Sequence, residues 1–152
     1  MRAAVLFTLV AASCVSAAPG KDKDPPNPHP LVGEWEIVTV TTLGKTRPDV
    51  IGGFHIFTAD GQWSTKQKPD GDKSPWQQYR VDDKADPKTL DLLMPANKGK
   101  DNTWRLLYRV EGDTLTLCQL GEDHTIRPKE FEAGKGSKNV IQTLKKVTPK
   151  KK

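Results

Sequence analysis

From Leu31 to Val147 the chain breaks, about every ten residues, into short runs in which apolar and polar side chains alternate, each bounded by turn residues. No run carries apolar residues at i, i+3, i+4 and i+7 over the length of a helix. An alternating run buries one face of an extended strand. The pattern confines the chain to an all-β fold, a sandwich or a barrel built from local hairpins.

The first run, Leu31 to Val40, places Leu31, Gly33, Trp35 and Ile37 on one face and Glu34 and Glu36 on the other, so the inner face carries Gly33 and Trp35. Phe54–Thr58 and Gln62–Gln67 flank Ala59-Asp60-Gly61, where glycine supplies the positive φ a hairpin turn needs. The polar loop Lys68–Trp76 leads to strands at Gln77–Asp83 and Lys88–Pro95. In the longest hairpin Trp104, Leu106, Tyr108 and Val110 alternate with polar residues, Glu111-Gly112-Asp113 turns the chain, and Leu115 and Leu117 alternate with Thr114 and Thr116. Ile126–Gly134 reads as a bend or short edge segment, and Asn139–Val147 as a closing strand. The expected architecture is a small antiparallel barrel of roughly eight strands.

Taken in order, Gly33-x-Trp35, Pro87-Lys88-Thr89-Leu90-Asp91, Tyr108 to Cys118, and Arg127-Pro128 with Phe131 followed by Leu144-Lys145-Lys146 resemble a small lipocalin-like domain abundant in planctomycete bacteria, a family with no established activity. The resemblance spans Leu31 to about Lys146 and implies a lipocalin-like barrel. Two departures stand out. Leu106-Leu107-Tyr108 replaces the family's Gly-Ile-Tyr, and Leu144-Lys145-Lys146 replaces Leu-Lys-Arg. In lipocalins an arginine of the last strand lies across the tryptophan of Gly-x-Trp; lysine lacks the planar guanidinium for that stack. A lysine of this group or Arg127 is left to close the barrel over Trp35.

The N-terminal residues have the layout of a secretory signal: Arg2, an apolar run from Ala3 to Ala12, then small residues. Cleavage before Ala18 is preferred, with lipid attachment at Cys14 the alternative. The run is too short for a membrane span. The expected organisation is a signal over 1–17, a charged, proline-rich spacer over 18–30, a barrel over 31–147 and a Lys-rich tail over 148–152. Exported protein of the periplasm, cell envelope or medium is therefore expected. The 24 basic and 19 acidic residues give a net charge of +5. Five of the basic residues, Lys145, Lys146, Lys150, Lys151 and Lys152, crowd the C-terminus, so the basic excess is no sign of a basic face on the domain, and no nucleic-acid partner is expected. Beyond the signal Cys118 is the one cysteine, which excludes an internal disulfide.

Residues with chemical potential are few. Cys118 lies in an apolar strand and reads as a small buried side chain, although alternation puts it on the face opposite Leu115 and Leu117. His29, His55 and His124 lack the spacing of a metal site. Asp82, Asp83, Asp86 and Asp91 are ordinary turn residues or, less simply, a source of paired carboxylates. Arg127 either forks onto an anionic ligand or packs on Trp35, with packing preferred. The aromatic residues fill the core or line a pocket.

No nucleophile, base and orienting group assemble, and neither a catalytic role, a metal nor a cofactor is expected. The expected function is a monomeric, non-catalytic module binding a small apolar ligand, with Trp35, Phe54, Ile56, Tyr79, Tyr108 and Arg127 as candidate contacts. The alternative is a solid-core barrel serving as an envelope-structural or protein-interaction domain.

Overall fold

A computed structural model describes residues 28–48 and 51–148. The expected signal with Cys14, the spacer up to residue 27 and the tail from residue 149 lie outside the described residues. The strands are β1 (Gly33–Thr42), β2 (Lys45–Thr46), β3 (Phe54–Phe57), β4 (Gln62–Lys66), β5 (Gln77–Asp82), β6 (Thr89–Leu93), β7 (Trp104–Glu111), β8 (Thr114–Leu120) and β9 (Asn139–Lys146). All neighbours are antiparallel, and β9 returns to pair with β1. Eight strands thus close a lipocalin-like barrel, and β2 is an extra strand on the far end of β1.

The strand β2 is absent from the sequence expectation because its turn, Leu43-Gly44, lacks the usual Asn-Gly signature. Both residues have positive φ, 52° and 73°. They form the two-residue loop between Thr42 and its partner Lys45.

A bulge at Val38 shifts the β1–β9 register: Ile37 pairs with Leu144, but Thr39 pairs with Thr143. The extra residue switches the inward positions from odd to even, so Trp35, Ile37 and Val40 are all buried. One long strand therefore serves both ends of the barrel.

The register assigns the remaining faces. Trp35 pairs with His55 and His55 with Thr65, while Gly33 pairs with Phe57 and Phe57 with Trp63. Facing pairs share a side, so His55 and Phe57 point inward and Phe54 and Ile56 outward. All four residues of β3 are buried, which left its inner face undetermined by periodicity. The outer face lies beneath the loop after β4: Lys66 Nζ donates to the Pro69 carbonyl at 2.5 Å, and Ser64 Oγ to the Ser74 carbonyl at 2.7 Å.

One half of the barrel is solid. Trp35, Phe57, Leu90, Leu115, Leu117 and Leu144 interlock there with almost no exposure. Residues 29–31, the last two of the expected spacer and the first of the expected barrel, cross this end as a plug. Trp35 Nε1 donates to the Leu31 carbonyl at 2.8 Å, and His29 bonds Asp83 at 2.8 Å.

Residues 121–138 form a strap over the outside of β6, β7 and β8. Arg127 donates to the Leu106 carbonyl at 2.6 Å and pairs with Asp91. Arg105 reaches the Thr125 carbonyl, and Arg109 lies over the Phe131 ring.

Candidate functional site

The other half of the barrel is hollow. A cavity of about 440 Å³ opens where β4 and β5 diverge. These strands share two residue pairs, Gln62 with Gln78 and Trp63 with Gln77. Beyond them Ser74 takes over, its hydroxyl accepting from the Thr65 N–H at 2.9 Å and its own N–H donating to the Thr65 carbonyl at 2.7 Å. The strands splay because Lys68–Trp76 carries two prolines and cannot continue the ladder.

Four elements place the wall. Trp63 comes from β4, Trp104 from the start of β7, Met94 from just after β6 and Ile37 from β1. Trp104 is braced from behind by His124, ring centres 4.7 Å apart. Polar side chains interrupt this apolar wall: His55, Thr65, Gln77 and Gln142, each inward by register.

A second cavity of about 440 Å³ lies between β1 and β8–β9, lined by Val40, Thr42, Gln119, Val140 and the Glu122–Lys138 pair. Gln142 borders both cavities.

The hydrogen-bond chemistry is specific. The Trp63 indole donates to His55 Nδ1 at 3.0 Å. An indole N–H can only donate, so Nδ1 is the unprotonated nitrogen and the neutral ring carries its proton on Nε2. Burial pushes the His55 pKa down to about 4, with the neighbouring Gln142 amide opposing part of that shift. The imidazole is therefore uncharged at neutral pH. Gln142 Oε1 is buried and, apart from its interaction with the His55 ring, has no close hydrogen bond among the described residues.

The candidates named from sequence separate. Trp35 is fully buried in the solid half and Lys146 Nζ stands 5.3 Å over its ring, so it is a plug. Phe54 touches the cavity at its rim, whereas Ile56 faces outward between its cross-strand neighbours Glu34 and Ser64. Tyr79 points inward but ties its hydroxyl to the Thr58 carbonyl at 2.8 Å, packing edge-on against Phe57. Tyr108 belongs to the plugged end, donating to Asp83, which also takes His29 and Lys88. Those donors, the Tyr108 hydroxyl first, hold Asp83 down to about 2.

Arg127 is outside the barrel and distant in register from Trp35. Its expected place over the tryptophan is taken by Lys146, and its fork is spent on Leu106 and Asp91.

Other side chains have local duties. Cys118 is fully buried beneath the strap, facing the Glu130 carbonyl at 3.5 Å, and burial raises its thiol to about 11. Asp82 caps its own turn through the Lys84 and Ala85 N–H groups.

The candidate contacts named from sequence leave out Met94, His55 and Gln142, and Trp63 and Trp104 entered only among the aromatic residues that could line a pocket. Gln142 was legible: it lies two positions before Leu144, on the same strand face. His55 was hidden by the doubly buried β3.

Compared with protein-family models and with curated proteins, the chain matches neither a family model nor a curated protein.

Proposed function

We propose that the protein is an exported, non-catalytic binding module that holds one small molecule in the hollow half of its barrel. The observation that carries this reading is the cavity of about 440 Å³ walled by Trp63, Trp104 and Met94, with His55 and Gln142 directed into it. The volume falls in the range of small-molecule sites, and the composition, mostly apolar with a few convergent polar groups, is the usual one. The plugged half acts as a floor. A non-catalytic role agrees with the raised Cys118 thiol, which is a poor nucleophile, and with the pairing of Asp91 to Arg127. Export rests on the N-terminal sequence. We also propose kinship with the lipocalin-like planctomycete domain whose ordered motifs the chain resembles.

The test is native mass spectrometry of the protein recovered from its own host, with the mass of any bound molecule read directly. A stoichiometric small ligand supports the module. Protein without ligand that also fails to take up small aromatic probes points to the alternative, a domain working through its outer surface. The observation favouring that alternative is Trp76, which stands 40 % exposed on the loop after β4.

A further inference from the structure

The chemistry of the ligand follows from what the mouth lacks as much as from what it holds. Among the described residues no carboxylate lines the cavity between β4 and β5. Its one lysine, Lys66, is committed elsewhere: Nζ meets Glu34 at 2.8 Å and the Pro69 carbonyl at 2.5 Å. His55 is neutral, because its Nδ1 accepts from Trp63 and burial disfavours the charged ring. An ion brought into this site would shed water and find no counter-charge, a cost of several kcal/mol. The wall offers two indole rings and a thioether, surfaces that reward a flat partner.

One polar atom is left open. Gln142 Oε1 is buried, has no close hydrogen bond among the described residues beyond its interaction with the His55 ring, and stands on the border of the cavity, which leaves a lone pair open. A carbonyl oxygen in that condition is normally met by a donor, water in the empty protein or a ligand when one is present.

We propose that the mouth takes an uncharged, flat molecule of one or two rings that presents an N–H or O–H donor to Gln142 Oε1. This rests on the reading of the hollow half as a binding site. It excludes carboxylates, phosphates and amines as main ligands, and it predicts that the donor decides affinity among shapes of equal size. Replacing the donor by a methyl group leaves that lone pair unmet.

The experiment uses three probes on the full exported chain: indole, 1-methylindole and indole-3-acetate. Binding is measured by calorimetry, and amide and indole N–H chemical shifts locate each probe. Indole is expected to bind about fivefold tighter than 1-methylindole, from the value of one neutral hydrogen bond, and indole-3-acetate more weakly than indole. The shifts should centre on Trp63, Trp104 and the Gln142 side-chain amide. In Gln142→Met the preference for indole should vanish while 1-methylindole binds within about twofold of its original affinity.

Equal binding of indole and 1-methylindole in the unmodified protein overturns the proposal without needing any variant. So does a preference that survives Gln142→Met, or tightest binding of the anion. Those outcomes leave the binding module standing; failure of all three probes to bind, together with ligand-free protein recovered from the host, removes the module itself.

Discussion

Lys146 and Gly33 occupy one space: a Cβ on Gly33 would come within 3.1 Å of Lys146 Cε, whose ammonium lies 5.3 Å above the Trp35 ring. The strand opens with glycine because the lysine stem must cross that point to cap the tryptophan. Gly33 also has φ 139°, a region that L-residues rarely enter.

Gly33→Ala is therefore expected to cost about 2 kcal/mol, backbone strain and displacement of the lysine together. In the double variant with Lys146→Ala the steric part disappears and the backbone part stays. Chemical denaturation of the four proteins should show a smaller Gly33→Ala cost in the Lys146→Ala background. Strict additivity would refute the shared space.

His55 sets an acid limit on stability. Its folded pKa of about 4 lies below the unfolded 6.5, so between these values the unfolded chain binds a proton that the folded one refuses. Stability should fall as pH drops through this window, by about 3 kcal/mol across it, and His55 should contribute no further loss below pH 4. Asp83, held down to about 2, contributes its loss at lower pH. His55→Gln keeps an acceptor for Trp63 and should flatten the profile between pH 4.5 and 6.5 in urea titrations. An unchanged slope would mean that the imidazole is not the titrating group.

The strap over β7 and β8 is fastened by Arg127. Arg127→Ala should lower stability by about 1–2 kcal/mol, leaving Asp91 half-buried without its partner. It should also speed labelling of the Cys118 thiol by about tenfold or more at pH 8, since local opening exposes it. Lysine at the same place should recover little, lacking a fork that reaches both Asp91 and Leu106. Unaltered labelling would show that other contacts hold the strap.

Leu43 sits at φ 52° in the turn before Gly44, and 57 % of it is exposed. Asparagine tolerates that conformation better than leucine. Leu43→Asn should therefore raise stability by about 0.5–1 kcal/mol. A lower denaturation midpoint would contradict the turn geometry.

Alternation alone placed Trp35, Tyr108, Leu115 and Leu117 on the inner face and Cys118 on the outer one, as the register has them. Where one face is polar, the period of two settles the matter. It failed at β3, whose Phe54 and Ile56 are as buried as Phe57 because a loop covers them. It was also silent about Val38, since a bulge in a run of β-branched residues carries no compositional mark. The place of Arg127 depends on a strap without regular structure, and no local pattern reports where such a segment lands. The hollow half was illegible for a related reason: its polar residues come from β3, β4, β5 and β9, and only closure of the ring assembles them.

The brief contact between β4 and β5 gives this cylinder a clasp. In a ring of eight strands, parting any single joint breaks the closure yet leaves a curled sheet still bonded along the other seven. Here that joint rests on two residue pairs, the bond from the Tyr79 N–H to the Gly61 carbonyl and the bonds of Ser74 to Ser64 and Thr65. The cheapest large motion is thus an unrolling hinged on the far wall, which widens the hollow half while the plugged half stays shut. Hydrogen exchange should find the amides of Trp63 and Thr65 among the least protected strand positions, and a ligand bridging Trp63 and Gln142 should slow them.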